Sequence, residues 1–164
     1  MAPYSPFDSE LVALLPRLRR FAHALSRNPA DADDLTQATI ERALRSRDQW
    51  QPGTRLDSWA YRIMRNLWID TVRTRSRKEK VEAPAEEADL IGEDPTAGVE
   101  AAIDLSRMMA AMERLPDEQR EVVALILIEG FGYRETAEML GLPIGTVSSR
   151  LVRGRTALLE MVGA

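Results

Sequence analysis

The stretch from Tyr133 to Arg155 constrains the fold of this chain more than any other, because it has the pattern of two helices joined by a tight turn. Gly141 predicts the end of the first helix, since glycine adopts the left-handed conformation of a helix C-terminus without steric cost. Pro143 predicts the start of the second helix, where the N–H that proline lacks is not needed. The stretch therefore predicts a helix-turn-helix.

The second of these helices has two chemically different faces. Its apolar face carries Val147, Leu151, Gly154 and Leu158. Its opposite face carries Thr146, Ser149, Arg150 and Arg153. The first helix has its own predicted inner face, formed by Tyr133, Thr136, Ala137 and Leu140. A helix with an apolar back and an Arg/Ser/Thr front suits the major groove of DNA.

Composition limits the other possibilities. The 164 residues suffice for one ordinary domain or two small ones, and with 45% hydrophobic residues the chain can bury a core. The absence of cysteine excludes disulfides, thiolate catalysis and cysteine-ligated zinc. The longest apolar run, Val122 to Ile128, is too short to span a membrane, and the start lacks an apolar signal segment. We therefore expect a cytoplasmic protein.

The net charge of −4 hides an uneven distribution of charge. Residues 51–80 hold eight Arg/Lys and three Asp/Glu, a balance of +5, whereas residues 81–104 hold eight Asp/Glu and no Arg/Lys. The acidic segment has little periodicity and is rich in Ala, Gly and Pro, which predicts a flexible linker. Because no strand pattern appears, we expect an all-α fold of two small helical domains, 1–80 and 105–164, joined by the acidic linker 81–104.

The first domain should contain three main helical segments. Asp8 is a predicted cap for the first, and Pro16 predicts a kink or a fresh start within it. Asn28 and Pro29 predict the next start, and that helix is expected to run on to about Trp50. The predicted inward positions of these segments are Leu11, Leu14, Leu15, Leu18, Ala22, Leu25, Leu35, Thr39, Ala43 and Leu44.

The last helix of the first domain is predicted from about Asp57 to Lys78, after a turn at Pro52-Gly53. Its predicted inward residues are Trp59, Ile63, Leu67 and Val72. Arginines fill the rest of the helix, and all three tryptophans lie between 50 and 68. Aromatic rings among arginines suit single-stranded nucleic acid, because bases stack on rings while cations pair with phosphates. Burial of Trp59 in the core is the simpler interpretation for that residue.

The second domain should begin with a helix from Val99 to Arg114 that turns Ile103, Met108, Ala111 and Met112 inward. Pro116 predicts the start of the next helix. Because the run from Val122 to Ile128 is apolar on every side, we expect that helix to be the most buried one of its domain.

These residues also carry a resemblance to a known family. LPDEQREVV and GTVSSRLVRGRTALL, with the helices upstream, resemble the bacterial sigma factors of the sigma-70 family, and most closely the two-domain extracytoplasmic-function group. The resemblance implies a transcription initiation factor that binds core RNA polymerase and promoter DNA and is held inactive by an anti-sigma factor. It implies no enzymatic activity, catalytic residue, metal, cofactor, small-molecule substrate or membrane span.

The resemblance also implies three sets of site residues. Contacts to the −35 element are expected from Thr146, Ser149, Arg150, Val152 and Arg153. Contacts to the −10 element are expected from Trp50, Gln51, Thr54, Arg62, Arg65, Asn66 and Arg73, with the loop 48–54 capturing a flipped base. Contacts to core polymerase are expected from Asp34, Leu35, Gln37, Glu41 and Arg42.

Three other functions remain as alternatives. A sigma mimic could sequester an anti-sigma factor without touching DNA, but it should lack the basic residues of the DNA faces. A helix-turn-helix repressor would need a dimer interface to read two half-sites, and no surplus amphipathic helix offers one. A metal-dependent enzyme could use Asp31, Asp33 and Asp34, although capping and the helix dipole explain these carboxylates without a metal.

Overall fold

A computed structural model describes residues 5–79 and 99–163, with side chains described from residue 104 onward in the second stretch. Within these ranges all regular structure is helical, as the periodicity predicted. The helices are α1 Pro6–Ala13, α2 Leu15–Ser26, α3 Pro29–Arg45, α4 Leu56–Glu79, α5 Val99–Arg114, α6 Asp117–Val123, α7 Tyr133–Leu140 and α8 Ile144–Val162. Residues 81–98 of the predicted linker 81–104 lie outside the described residues, and residues 99–104 form the start of α5.

The first two helices meet at the break that Pro16 predicted, since α1 ends at Ala13 and α2 begins at Leu15. The cap of α1 is Ser5 and not Asp8, so that prediction was wrong. The Ser5 hydroxyl accepts a hydrogen bond from the Asp8 backbone N–H at 3.2 Å. Asp8 lies inside the first turn, where its charge favours the helix N-terminus.

The start of α3 follows the prediction, whereas its end does not. The Asn28 side chain accepts a hydrogen bond from the Asp31 N–H at 3.1 Å. The helix stops at Arg45, and a single 3₁₀ turn, Arg47–Gln49, follows it. Leu44, predicted to be buried, is 39% exposed, because the inward row at four-residue spacing runs through Leu35, Thr39 and Ala43.

Helix α4 packs against α2 and α3, and its fully buried residues lie in its first half. Its buried residues are Leu56, Ala60, Tyr61 and Met64. Trp59, Ile63 and Leu67 lie half-buried at the edge of this core. Val72 was predicted to point inward and is 45% exposed, because the end of α4 from 72 to 79 lies at the surface, where Arg75 pairs with Asp31 of α3.

The second domain is centred on α6 and α8. Val122 to Leu125 are buried as expected, but Leu127 and Ile128 are 53% and 44% exposed. The helix widens into a π-turn over Ala124–Ile128, where the Glu129 N–H donates to the Ala124 carbonyl five residues back. The extra residue in that turn rotates the last two apolar side chains outward.

On α5, Ala111 and Met112 are buried, whereas Met108 is 39% exposed and its predicted inward position was wrong. Met108 lies on the same helical face as Ala111 and Met112, but every residue from 104 to 110 is exposed, because burial on α5 begins only at Ala111. The side chain of Ile103 lies outside the described residues.

The helix-turn-helix forms as predicted. Helix α7 ends at Gly141, whose φ of 65° is left-handed, and Pro143 precedes α8 as its N-cap and not as its first residue. The predicted apolar face of α8 is buried. On α7, Tyr133 is 46% exposed, contrary to the prediction, because it is the first residue of the helix.

Gly154 sets how closely α8 approaches α6. A Cβ atom at this position would lie 2.8 Å from Cγ2 of Val123 and 3.3 Å from Cβ of Gln119. Only glycine therefore permits this approach without displacement of α6.

The two domains also pack directly against each other, through α2 with α6 and α4 with α7. The sequence predicted two domains joined by a tether and gave no sign of this interface.

Candidate nucleic-acid interface

The outward face of α8 is open in this structure. Ser149 and Arg153 are exposed and Val152 is 60% exposed, whereas Thr146 is half-buried. The guanidinium of Arg150 is half-buried, and its Nη2 lies 3.7 Å from a carboxylate oxygen of Glu118. This helix presents a polar and basic strip that a DNA groove can reach.

The residues of α4 are divided between an open side and a covered side. Arg62, Asn66 and Arg73 are exposed. Arg65 is half-buried, and its Nε donates to the carboxylate of Glu121 in the second domain. Burial raises the pKa of Glu121, and the Arg65 charge opposes that rise.

The loop before α4 contains one packed residue and two open ones. The Trp50 ring lies 5.5 Å from the ring of Phe7, centroid to centroid, and its buried indole N–H has no hydrogen-bond partner within the described part of the chain. Gln51 and Thr54 are exposed, and the Thr54 hydroxyl donates to the Gln51 carbonyl at 2.6 Å. The loop is therefore held at Trp50 and exposed after it.

On α3, four of the five residues expected to meet polymerase are exposed: Asp34, Gln37, Glu41 and Arg42. Leu35 differs, because it is only 5% exposed and packs into the core of the first domain. The exposed four form a polar surface that Leu35 supports from beneath.

The acidic start of α3 does not bring its carboxylates together. Asp31 accepts two hydrogen bonds from Arg75 of α4, at 2.7 and 2.8 Å, and these hold the pKa of Asp31 below its usual range. Among residues 5–79 and 99–163, no three His, Cys, Asp or Glu side chains are grouped so that they could hold a metal ion.

A buried carboxylate at the domain interface was missed by sequence reasoning. The Glu129 side chain is 1% exposed and accepts hydrogen bonds from three groups of the first domain. Arg20 donates from Nε at 2.7 Å and from Nη2 at 3.0 Å, Arg17 donates from Nε at 3.1 Å, and the Tyr61 hydroxyl donates at 2.7 Å. Burial alone would raise the pKa of Glu129, but these donors outweigh it and hold the pKa below its usual range.

A second cluster joins the same two domains through two arginines. Arg120 is 2% exposed and donates to the Ala24 carbonyl near the end of α2, as well as to Leu115 O at 2.8 Å. Arg27 donates in the opposite direction, to Leu115 O at 2.6 Å and to Asp117 at 2.9 Å. The backbone of Arg27 is left-handed, with φ of 59°, a conformation that non-glycine residues rarely adopt.

The sequence did not reveal the partners in these contacts. Glu129 stands 109 residues after Arg20 and 112 after Arg17, and its immediate neighbours indicate only the end of a helix. The one available clue was that Glu129 follows an apolar run, where an unpartnered carboxylate is costly to bury.

Two family profiles match the chain, one in each domain. Sigma-70 region 2 matches residues 11–78, and Sigma-70 region 4 matches residues 105–158. The ECF RNA polymerase sigma factor EcfG of Rhodopseudomonas palustris (strain TIE-1) is 39% identical over 158 residues, which cover 94% of this chain and 86% of that protein. This chain belongs to the ECF sigma factors of the sigma-70 family.

Other relatives of this sigma factor agree. The ECF sigma factor SigE of Mycolicibacterium smegmatis (strain ATCC 700084 / mc(2)155) is 44% identical over 147 residues, which cover 87% of this chain and 56% of that protein. Sigma factor RpoE of Bartonella quintana, solved in complex with the anti-sigma factor NepR, is 33% identical with a TM-score of 0.83. The match covers 95% of this chain and 96% of that one.

The family is that of sigma factors, which are transcription factors rather than enzymes. No helix within the described ranges is long and apolar enough to cross a membrane.

Proposed function

We propose that this sigma factor works in the cytoplasm by binding core RNA polymerase and dividing promoter recognition between its two domains. In this proposal the first domain reads the −10 element with α4 and the loop before it, and the second domain reads the −35 element with α8. The observation that carries the proposal is that two basic faces, each with exposed polar residues, occur in the two domains of one sigma-family chain. The exposed residues are Arg62, Asn66 and Arg73 on α4 and Ser149, Val152 and Arg153 on α8.

Polymerase has a further role in this proposal. The centres of elements at −10 and −35 lie about 25 base pairs apart, which is about 85 Å of duplex at about 3.4 Å per pair. In the packed structure, by contrast, Arg65 of the first domain touches Glu121 of the second. The domains must therefore separate before one chain can contact both elements, and core polymerase is the partner that would hold them apart.

An anti-sigma factor is the expected regulator. This part of the proposal is supported by the resemblance to Bartonella quintana RpoE, whose structure contains the anti-sigma factor NepR. The exposed arginines on both DNA faces support a working sigma factor over a mimic that only sequesters such a regulator, because a mimic has no use for them.

The test is transcription by core polymerase with and without the purified protein on a pool of genomic promoter fragments, with transcript starts mapped. We expect initiation at a subset of fragments that share two sequence elements, and only when both components are present. Unselective initiation, or none, would contradict the proposal. Core polymerase with the Arg62→Ala/Arg153→Ala variant is the matched control, because that variant should still bind the enzyme.

A further inference from the structure

The Glu129 pocket has the geometry of an anion site that belongs to the first domain. Its donors are Arg17 and Arg20 of α2 and Tyr61 of α4, and the second domain contributes the Glu129 carboxylate and, 3.5 Å from Nη2 of Arg17, the Glu129 backbone carbonyl. Arg17 also donates to Asp57 of the first domain at 3.3 Å. Arg20 donates a hydrogen bond to each carboxylate oxygen of Glu129. Guanidinium groups bind phosphate in the same bidentate arrangement. A phosphodiester likewise offers two terminal oxygens that share one negative charge.

The surroundings of the pocket suit a single strand better than a duplex. The Tyr61 ring lies 4.9 Å from Phe21 and 5.3 Å from Phe131, and Phe131 belongs to the second domain. When the second domain leaves, one side of the Tyr61 ring loses its cover next to two arginines. Arginines around an aromatic ring are the usual platform for single-stranded nucleic acid.

The position of the pocket is continuous with the predicted −10 contacts. Tyr61 precedes Arg62, Arg65 and Asn66 on α4, so the two arginines of α2 would extend that surface by one helix. Opening of the domains would take the Glu129 carboxylate away from Arg20 and the Tyr61 hydroxyl and leave Arg17 paired with Asp57 alone. Donors that lose an acceptor recover the interaction from another partner.

We propose that Arg17, Arg20 and Tyr61 form a binding site for the phosphate backbone of melted promoter DNA, and that Glu129 of the second domain occupies this site as a phosphate substitute in the closed protein. The −10 strand then competes with Glu129 for the same donors, so DNA binding and domain opening are coupled. This inference rests on the proposed division of promoter reading between the domains.

The experiment separates a DNA site from a mere domain lock by the sign of the effect. Binding of the full chain to a fluorescent oligothymidylate is measured by anisotropy at a series of salt concentrations. Glu129→Gln should bind more tightly than the wild type, because the competing charge is gone. Adding Arg17→Gln and Arg20→Gln to Glu129→Gln should then weaken binding and reduce the salt slope by about 0.7 for each lost phosphate contact on a single strand, about 1.4 in all.

The opposite result for oligonucleotide binding is expected if the pocket has no role in DNA binding. If the arginines served only to hold the domains together, Arg17→Gln/Arg20→Gln would open the protein and bind the oligonucleotide as tightly as Glu129→Gln, with an unchanged salt slope. That result overturns the proposal. The matched control is Arg19→Gln in the same background, because Arg19 is exposed on α2 and makes no interface hydrogen bond. Arg19→Gln added to Glu129→Gln should leave the salt slope at the value measured for Glu129→Gln alone. A fall in the slope equal to that caused by Arg17→Gln and Arg20→Gln together would also overturn the proposal.

Two further measurements keep the test decisive. Thermal unfolding checks that each variant is folded, and Arg20→Gln alone replaces the double variant if the latter unfolds. Arg17→Gln/Arg20→Gln is also titrated with core polymerase, and an affinity loss there with oligothymidylate binding unchanged would assign these arginines to the enzyme and overturn the proposal. Promoter-selective transcription by wild-type protein is measured in parallel, so failure of the proposed function is distinguished from failure of this site.

Discussion

Helices α4 and α8 both carry arginines expected to meet DNA, but the packing of the two domains covers part of α4 and leaves the outward face of α8 largely exposed. The recognition face of α8 is largely open, with Arg153 exposed and Val152 60% exposed. On α4 the exposed Arg62 lies near a covered side, where Arg65 pairs with Glu121 and Tyr61 donates to Glu129. The closed protein therefore leaves the proposed −35-reading helix accessible and covers part of the proposed −10-reading helix.

The difference has a physical consequence for control of the two interactions. Reading of a duplex major groove needs only an accessible helix, whereas binding of a melted strand needs both an open surface and energy to unstack bases. On the proposed assignment, covering the single-strand site would keep the free protein from capturing stray single strands, whereas the open face of α8 would still contact duplex DNA weakly.

The largest effect is expected from a substitution that disturbs the packing of α8 on α6. Gly154→Ala should destabilise the protein by about 3 kcal/mol, the upper part of the range for overpacked sites, because the new methyl group meets Val123 at 2.8 Å. Gly145→Ala is the control on the same helix, since nothing lies within 4 Å of its Cβ position, and it should be neutral or slightly stabilising. Chemical denaturation of both variants measures the difference, and equal midpoints would show that α6 yields easily.

A smaller effect is expected from substitutions on the outward face of α8. Arg153→Ala should lower transcription from −35-dependent promoters by about 5- to 150-fold, equivalent to about 1–3 kcal/mol for loss of one Arg–base contact. Arg150→Ala should lower it less, because Arg150 is half-buried beside Glu118 at 3.7 Å. Polymerase binding measured in parallel should stay unchanged for both. A parallel loss of polymerase binding would mean that α8 has a different role.

The smallest effect concerns the exposed part of the −10 loop. Gln51→Ala should reduce promoter opening several-fold on duplex templates, because a loop that captures a flipped base offsets an unstacking cost of a few kcal/mol. The defect should shrink on templates melted in advance at −10, where that cost is already met. Trp50→Ala should instead lower thermal stability, since its ring packs on Phe7 at 5.5 Å. A Gln51→Ala defect of equal size on both templates would remove the loop from strand capture.

Local patterns in the chain were enough to predict the helices, the turn and most of the inward faces. Gly141, Pro143 and the spacing of Val147, Leu151 and Leu158 predicted the helix-turn-helix, because backbone freedom and side-chain periodicity are local properties. This reasoning failed at Leu44, which lies off the inward row of α3, at Val72, which lies on the exposed end of α4, and at Leu127, which lies within a π-turn.

Which charged side chains are exposed and which are paired depends on the tertiary structure. Arg62 and Arg65 look alike in sequence, but one is exposed and the other pairs with a carboxylate 56 residues away. Glu129 and Arg20 are matched only because two domains meet, and a carboxylate can be buried so completely only where several donors converge on it. Such pairing depends on the three-dimensional arrangement of distant segments, which the local pattern of residues does not encode.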